Sequence, residues 1–422
     1  MHIQSAKIEN IRNIESFEMT FSEGEALAGW HVLIGDNGSG KSTVLKALAL
    51  GLMDIGNLGA LRQDWNTWIR DGQDSSKIEL VLDRDSYRGQ ATLFYSPTLS
   101  VKITRFDGIA KVEGGNYEFL GNGSGRFSAA FGPFRRLSGG STEYEKLIRS
   151  NPRLSAHLSI FGEDIALTEA ISWLVNLNYR RLEGHPAGEL LVPLQNFINQ
   201  SGFLPNDVKL SKISSDGVTF TDSEGITVSV ESLSDGYRSI LSMTFEIIRQ
   251  MTLAYSLDAI FPTDDHTVIE LPGVVLIDEV DAHLHPEWQR RIGTWFTEHF
   301  PNVQFIVTTH SPLVCQAAVK GSIWRLPAPG SGKVGYRVDK DNPETAEEWK
   351  RLVYGNILEA YSTDLFGEHI DRSEVAQAKY QALARLSRIE LKRPLTENER
   401  QQLQSLLDEL PNTPDKHLAT EP

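Results

Sequence analysis

The sequence predicts an α/β fold in which strands surround a core that starts with a strand, a glycine-rich loop and a helix. Residues 30–34 (WHVLI) form a short apolar run that enters the glycine-rich segment directly. Apolar residues then recur at helical spacing over residues 42–53. The apolar runs at residues 273–277 and 303–308 predict two further buried strands, which bracket a helix over residues 286–299.

The N-terminal part of the chain predicts an additional, antiparallel sheet. Residues 2–9 and 15–21 alternate apolar and polar side chains, as half-buried strands do. More strands are expected after the first helix, at residues 77–83, 91–95, 101–105 and 117–120. Later in the chain, residues 219–232 return to strand character, a long helix is expected over residues 239–257, and the segment 343–410 is charged and helical.

Composition restricts the class of protein. The chain has 422 residues, 40% hydrophobic and 23% charged, which is typical of a globular protein. No apolar run approaches the roughly 18–20 residues of a membrane helix, and the first residues, MHIQSAKIEN, do not resemble a secretory signal. The single cysteine, Cys315, excludes an internal disulfide framework and a cysteine-cluster zinc site. We therefore expect a cytoplasmic protein.

The charge balance disfavours a surface that wraps DNA. The formal net charge is −15, whereas nucleic-acid-binding surfaces carry an excess of lysine and arginine. Three arginine pairs could still form a local basic groove, at residues 135–136, 180–181 and 290–291. We interpret each pair as solvated surface arginines.

The glycine-rich segment has the full pattern of a phosphate-binding P-loop (Walker A). Residues 35–42 read GDNGSGKS, which fits G-x-x-x-x-G-K-[ST] between an apolar strand and a helix. Glycines let the backbone N–H groups turn towards phosphates, and the helix N-terminus adds positive potential. Lys41 is expected to reach the β- and γ-phosphates, and Ser42 to bind Mg²⁺. The predicted nucleotide-binding residues are Gly35, Asn37, Gly38, Ser39, Gly40, Lys41, Ser42 and Thr43.

A second motif supplies carboxylates at the end of a buried strand. Residues 274–279 read VVLIDE, so that Asp278 and Glu279 follow four apolar residues. Parallel sheets bind ligands at the carboxyl ends of their strands. Asp278 is expected to hold Mg²⁺ directly or through water, and Glu279 to polarise the attacking water.

A serine and a glycine open the long helix that leads to this strand. Ser234, Asp235 and Gly236 could bind a γ-phosphate through hydroxyl, backbone N–H and helix dipole. The alternative is a plain helix cap. Residues 137–140 (LSGG) have a similar spelling, but Leu137 lies 141 residues before Asp278, whereas Leu233 lies 45 before it. The spacing favours residues 234–236, and we interpret 137–140 as a glycine-rich turn.

Polar residues follow the last two buried strands. Asp281 lies where a loop crossing to a second nucleotide site is expected. His310 follows the end of the strand 303–308, where it could reach a γ-phosphate. Together with Glu279, His310 is a candidate catalytic residue. His283 and His285 could suggest a metal site, but no third ligand is apparent nearby, so a structural role is favoured.

Taken in chain order, these five elements resemble the ABC-type ATPases of the RecF, Rad50 and OLD lineage, over residues 1–330 or so. The resemblance implies that two heads meet head-to-tail, with each nucleotide lying between the Lys41 loop of one subunit and the segment 234–236 of the other. It also implies that Arg12 and Asn13 lie near the nucleotide. A glutamine-containing loop that senses Mg²⁺ is usual in this lineage. Two candidates for that role stay open, Gln63 and the segment 131–134.

Within the lineage, the chain is most similar to stand-alone ATPases of bacterial defence cassettes. The helical segment 141–200 is far too short for the coiled coil of Rad50, and no cluster of acids typical of an OLD Toprim domain follows His310. The spellings DEVDAHLHP and TTHSP, with YGNIL at residues 354–358, look like the Septu-type ATPase (PtuA-like), which also serves in some retron systems. A RecF/Rad50-like repair ATPase that acts directly on DNA is the alternative, and a transporter subunit is disfavoured.

The resemblance predicts cofactors, partners and domains. It implies an ATP hydrolase, slow in turnover, that uses ATP and Mg²⁺ and regulates a separate HNH nuclease (PtuB-like), with a reverse transcriptase and its RNA/DNA product, or DNA itself, as further candidate partners. A homodimer or higher oligomer is expected, and no membrane contact. The predicted domains are the N-terminal half of the ATPase head with the P-loop (1–140), a helical insertion (141–205), the C-terminal half of the head (206–342), a helical C-terminal extension (343–410) and a flexible tail (411–422).

Overall fold

The computed structural model describes most of the chain. It covers residues 1–22, 25–53, 58, 61–83, 98–114, 126–135, 152–162, 168–200, 203–204, 208–262, 266–361, 363 and 374–410. The strands are β1 (Ile3–Ile11), β2 (Ile14–Thr20), β3 (Gly29–Ile34), β4 (Ser75–Leu82), β5 (Thr98–Phe106), β6 (Ile109–Gly114), β7 (Ser128–Phe131), β8 (Lys209–Ser214), β9 (Gly217–Thr221), β10 (Thr227–Ser229), β11 (Gly273–Ile277), β12 (Val303–Thr308), β13 (Gly321–Arg325) and β14 (Tyr336–Val338).

The helices lie between groups of these strands and after the last strand. They are α1 (Lys41–Leu52), α2 (Pro152–Leu158), α3 (Thr168–Leu182), α4 (Leu191–Ile198), α5 (Asp235–Ala254), α6 (Leu257–Ile260), α7 (Pro286–His299), α8 (Pro312–Cys315), α9 (Ala346–Val353), α10 (Ile357–Tyr361), α11 (Glu374–Glu390) and α12 (Glu397–Glu409). Short 3₁₀ helices cover Trp65–Trp68, Pro186–Leu190, Val230–Ser232 and Gln316–Lys320. Among the described residues, no helix combines the length and the apolar character that crossing a bilayer requires.

A six-stranded sheet carries the glycine-rich loop. Its strand order is β14-β13-β3-β12-β11-β7, and all neighbours are parallel except the edge strand β14. Every residue of β3, β11 and β12 is buried, because these central strands are covered on both faces. The parallel strands place residues 35, 278 and 309, which follow β3, β11 and β12, at the same edge of the sheet.

An antiparallel sheet covers the other side of helix α1. Its order is β2-β1-β4-β5-β6, and β4 alternates buried with more exposed residues, as β1 does less regularly. Helix α1 contacts β1, β4 and β5 of this sheet and β7, β11 and β12 of the six-stranded sheet. A helix held between two sheets is buried on most of its surface, which explains why nearly all of α1 is apolar or small.

The segment between β7 and β11 contains the helices α2 to α6 and a small sheet. Strands β10-β9-β8 form this three-stranded antiparallel sheet. The predicted strand character of residues 219–232 therefore holds for parts of β9 and for β10, whereas residues 230–232 form a 3₁₀ turn. Helix α5 begins at Asp235, four residues before the expected start at Ser239, because Ser234 already has the extended backbone of a helix-capping residue.

The predicted fold class is confirmed: the chain is α/β, with mixed and antiparallel sheets around a P-loop core, helices inserted between the halves and further helices at the C-terminal end. Strands β6, β7, β8, β13 and β14 were not individually predicted. The strands predicted at residues 91–95 and 117–120, the turn at 137–140 and the tail 411–422 lie outside the described residues.

The chain forms two compact units, Met1–Ala360 and Tyr361–Pro422. The first contains all three sheets and the glycine-rich loop. In the second, α11 and α12 pack on each other and are joined by an ion pair between Lys379 and Glu409. Thr396 and Glu399 form a reciprocal capping box that starts α12.

Candidate nucleotide-binding site

The loop after β3 has a backbone that only glycine adopts easily at three positions, Gly35, Gly38 and Gly40. Gly40, which caps α1, has φ 98°, and Gly35 has φ 152°. A Cβ atom on Gly35 would lie 2.8 Å from both the Leu326 carbonyl oxygen and Ser39 Oγ. The glycine spacing recognised in the sequence therefore follows from the way this loop turns out of the sheet and into α1.

The loop borders a cleft of about 450 Å³. Most of the predicted nucleotide-binding residues line it, as do the two predicted catalytic residues. The lining residues are Asn13, Asn37, Gly38, Gly40, Lys41, Ser42, Thr43, Glu279 and His310. Gly35 and Ser39 do not line the cleft but hold the base of the loop. Its size is in the range of small-ligand sites.

The Lys41 side chain folds over the loop. Its Nζ donates hydrogen bonds to the carbonyl oxygens of Gly35 at 2.7 Å and Asp36 at 3.2 Å. Burial lowers the pKa of Lys41, and the nearby carboxylates of Asp278 and Glu279 act in the opposite direction. The lysine thus presents a partly desolvated cation to a cleft that the first residues of α1 also line.

Asp278 and Ser42 meet at the inner end of the cleft. The Asp278 carboxylate is 2% exposed, and its Oδ1 accepts hydrogen bonds from Ser42 Oγ at 3.0 Å and Thr308 Oγ1 at 2.6 Å. A carboxylate beside a hydroxyl, both with hard oxygen atoms and close to a lysine, fits the donor set that Mg²⁺ prefers when it accompanies phosphates. The residues present therefore fit the predicted metal, and Ser42 and Asp278 would hold it.

Thr308 also supports Glu279, a role that sequence analysis missed. Glu279 is half-buried and has φ +46°, a left-handed conformation that is uncommon for a residue other than glycine. Its backbone N–H donates to Thr308 Oγ1 at 2.7 Å, and the Val280 N–H donates to the Thr308 carbonyl oxygen at 3.0 Å. The sequence signal for this role is the first threonine of the segment TTHSP, which is Thr308.

Arg135 corrects a sequence interpretation, because it is not a solvated surface arginine. It is 5% exposed and lies behind the Asp278–Glu279 turn. It donates to the carbonyl oxygens of Asp278 at 2.8 Å and Glu279 at 3.0 Å, and its Nε donates to Ser239 Oγ at 2.8 Å. Burial lowers its pKa to about 10, so it remains charged at neutral pH. Arg180, Arg181 and Arg290 are exposed, as interpreted, whereas Arg291 is half-buried over the Trp288 ring and Arg136 lies outside the described residues.

Asp281 and His310 are connected through the backbone. Asp281 Oδ1 accepts a hydrogen bond from Thr309 Oγ1 at 2.6 Å and one from the His310 N–H at 3.3 Å. Asp281 does not line the cleft, whereas the exposed His310 lies on its wall together with Glu279. Asp281 thereby fixes the loop that carries His310.

The segment 234–236 lies outside this cleft. Ser234 and Asp235 are exposed at the N-terminus of α5, and Asp235 pairs with Arg238. Gly236 packs against the loop after Asp281, because a Cβ atom on it would lie 2.9 Å from the His283 carbonyl oxygen. An exposed helix N-terminus outside the chain's own cleft is available to a nucleotide held elsewhere.

The remaining expectations concern neighbours of the loop. Asn13 Nδ2 donates to the Gly38 carbonyl oxygen at 2.6 Å and lines the cleft, whereas the Arg12 guanidinium lies 4.9 Å from the Trp68 ring centroid. Gln63 is not in the cleft; its Nε2 donates to the Leu61 and Phe161 carbonyl oxygens. Phe131, which opens the rival segment 131–134, accepts the Asp278 N–H at its carbonyl oxygen.

The two histidines after Asp281 lie at the start of α7. His285 Nδ1 accepts a hydrogen bond from the Glu287 N–H at 3.4 Å, so its ring caps the helix. His283 has φ 65° and is exposed. A capping histidine satisfies a backbone donor that the first turn of a helix otherwise leaves open.

Comparison with known proteins adds family information to this geometry. A protein-family model described as "AAA domain, putative AbiEii toxin, Type IV TA system" matches residues 31–316, and one described as "AAA ATPase domain" matches residues 1–57. The chain is 34% identical over 176 residues to the retron Ec83 probable ATPase of Escherichia coli. This alignment covers 39% of this chain and 31% of that protein. It is 25% identical over 329 residues to the Septu protein PtuA of Bacillus mycoides (strain KBAB4), covering 76% of this chain and 40% of PtuA.

A solved structure, the Smc head bound to the C-winged helix domain of ScpA, gives a TM-score of 0.46 at 14% identity, over 80% of this chain and 97% of that one. The chain aligns with less than half the length of the retron ATPase and of PtuA. The resemblance to Septu and retron ATPases that the sequence predicted is confirmed, as is the prediction of an ATPase domain.

Proposed function

Because the chain belongs to the AAA-domain family described as "AAA domain, putative AbiEii toxin, Type IV TA system", we propose that it binds ATP with Mg²⁺ and hydrolyses it at the cleft beside Lys41. The observation that carries this proposal is the convergence of four side chains from three separate parts of the chain on one cleft. Lys41, Ser42, Glu279 and His310 all line it.

Phosphate binding would use the loop and Lys41. The backbone N–H groups and the N-terminus of α1 supply positive potential, and Lys41 Nζ would exchange its carbonyl partners for the β- and γ-phosphate oxygens. Bound Mg²⁺ would neutralise phosphate charge as it develops in the transition state. Ser42 and Asp278 would hold the ion, and Thr308 keeps the Asp278 carboxylate oriented towards Ser42.

Hydrolysis would use Glu279 as the base that polarises the attacking water. Its side chain starts from a turn fixed at the N–H by Thr308 and at the carbonyl by Arg135, so the carboxylate is held at the cleft before nucleotide arrives. His310, on a loop fixed by Asp281, would donate to the γ-phosphate and help orient that water.

The complete site would require a second subunit. Ser234, Asp235 and Gly236 lie outside the chain's own cleft, at the exposed start of a 20-residue helix. Their N–H groups and the Ser234 hydroxyl would bind the γ-phosphate held by a partner's Lys41, which makes a head-to-tail dimer with two composite sites. Asp281 would lie at the crossing between the two sites.

The cellular role we propose is that of a regulatory ATPase in an anti-phage defence complex. It is supported by the similarity to a Septu protein and a retron ATPase. The chain would control a separate HNH nuclease, and in a retron setting it would also work with a reverse transcriptase and its RNA/DNA product.

Co-purification with the HNH nuclease from the same locus tests this role. The tagged wild-type chain should retain the nuclease and protect cells in phage plating assays. Lys41→Ala should retain the nuclease but lose protection, and Lys320→Ala, which changes an exposed lysine outside the cleft, should behave as the wild type. Failure to retain the nuclease, combined with ATP hydrolysis stimulated by linear DNA alone, would support a DNA-repair ATPase instead.

A further inference from the structure

Arg135 is a buried cation whose hydrogen bonds join two elements of the proposed site. Its Nη1 and Nη2 donate to carbonyl oxygens of the catalytic turn, at Asp278 and Glu279, and its Nε donates to Ser239 Oγ on α5. Nη1 also donates to the Gly132 carbonyl oxygen at 3.1 Å. Burying a guanidinium is costly unless its N–H groups are hydrogen-bonded, and those of Arg135 donate to main-chain carbonyl oxygens and to one hydroxyl. Such an arrangement fixes backbone conformation.

The turn that Arg135 holds needs support. Glu279 has φ +46°, a conformation that is strained for a residue other than glycine. Such a conformation persists only where the surrounding structure enforces it. The N–H of Glu279 is held by Thr308 and its carbonyl oxygen by Arg135. Removing the second contact would let the backbone relax, which would move the carboxylate away from the cleft.

Ser239, which accepts the hydrogen bond from Arg135 Nε, lies near the segment 234–236 that would bind a partner's nucleotide. Ser239 is 3% exposed and follows Gly236 within one turn of α5. Gly236 in turn packs against the His283 carbonyl oxygen. The start of α5 is therefore attached to residues 278–283 at two points, through Arg135 and through Gly236.

We propose that Arg135 is a positioning residue that ties helix α5 to the Glu279 turn, so that nucleotide docking on Ser234–Gly236 from one composite site adjusts Glu279 in the other. This inference rests on the composite dimer of the proposed function. It makes the two sites of a dimer interdependent, because the helix that completes the partner's site is attached to the base of the chain's own site.

Ser239→Ala tests the link with the smallest change. It removes only the hydroxyl that accepts from Arg135 Nε and leaves the carbonyl contacts of Arg135 in place. Ser242→Ala is the matched control: Ser242 is also buried on α5, but its hydroxyl donates to the Ser239 carbonyl oxygen of its own helix. ATP–Mg²⁺ affinity, nucleotide-dependent dimerisation and hydrolysis as a function of ATP concentration would be measured for each.

The wild type should show a Hill coefficient between 1 and about 2, as expected for two coupled sites. Ser239→Ala should lower turnover about tenfold, which is the scale of one hydrogen bond to a charged group, and bring the coefficient to 1. Its affinity for ATP and its dimerisation should match those of the wild type and of Ser242→Ala. Arg135→Lys, which keeps the charge but loses the planar fork, should reproduce this pattern.

The inference is overturned if the wild type has a coefficient of 1, if Ser239→Ala keeps wild-type turnover and cooperativity, or if Ser242→Ala causes the same losses. Dimerisation of the wild type is measured separately, and where it depends on nucleotide the proposed function stands in each of these cases. If the wild type shows no nucleotide-dependent dimer, the proposed function itself fails, and this inference fails with it.

Discussion

Thr308→Val removes one hydroxyl and leaves the shape of the side chain nearly unchanged. Thr308 is completely buried, and its hydroxyl donates to Asp278 Oδ1 at 2.6 Å and accepts from the Glu279 N–H at 2.7 Å. The valine would leave the Glu279 N–H without this acceptor, and Asp278 would keep the donor Ser42. A neutral hydrogen bond contributes about 0.5–1.5 kcal/mol and one to a charged group about 1.5–3 kcal/mol, so we expect a loss of about 2–4 kcal/mol in the free energy of unfolding.

The measurement is urea unfolding followed by tryptophan fluorescence, together with ATP hydrolysis. Thr297→Val is the control, because Thr297 is also buried, but its hydroxyl donates only to carbonyl oxygens of its own helix, at Gly293 and Thr294. Thr308→Val should unfold at clearly lower urea than Thr297→Val and should hydrolyse ATP at least about tenfold more slowly, because the Glu279 turn has lost a support. Equal midpoints and equal turnover in the two variants would refute the role given to Thr308.

Three further predictions address the site and the core. Lys41→Ala should weaken ATP–Mg²⁺ binding about 10- to 100-fold or more in calorimetric titration, and unchanged affinity would mean that this loop is not the site. Glu279→Gln should still bind ATP but lower turnover by ~10²–10⁴-fold and accumulate a nucleotide-bound dimer; wild-type turnover would move the catalytic role towards His310. Burial lowers the pKa of His31 from 6.5 to about 4, so the unfolded chain binds a proton first as pH falls. Stability should therefore decrease between pH 6.5 and pH 4, by up to about 3 kcal/mol from this residue, and a folded His31→Gln variant that kept the full decrease would contradict this assignment.

Local patterns predicted the parts of the fold that depend on neighbours in sequence. The P-loop was recognisable because strand β3, the glycines and helix α1 are consecutive, and the buried strands β11 and β12 were recognisable as unbroken apolar runs. Strands β7 and β13 were missed because they are short and contain serine, alanine or glycine, and only their pairing with β11 and β3 makes them strands.

The supporting contacts of the site could not be predicted for a related reason. Arg135 lies 143 residues before Asp278, and an arginine that bonds carbonyl oxygens has no partner residue type that a sequence could reveal. The pattern Arg-Arg at residues 135–136 is more often a solvated pair. Thr308 could be identified only as part of a motif, since its contacts with Asp278 and Glu279 arise from the parallel pairing of β11 and β12.

The most direct test of the account mixes two inactive variants. Lys41→Ala retains the segment 234–236 but lacks the phosphate-binding lysine, and Ser234→Arg retains the lysine but places a bulky cation where the partner's γ-phosphate would dock. Each variant alone should fail to hydrolyse ATP, and Ser234→Arg should bind nucleotide almost normally without dimerising. An equimolar mixture should regain phosphate release, up to about half of the wild-type rate, because neither variant forms a nucleotide-dependent dimer by itself and each mixed dimer has one complete site. Ser138→Arg should have little effect by comparison. If the mixture stays inactive, or Ser234→Arg is harmless while Ser138→Arg is damaging, the composite site built on residues 234–236 is wrong.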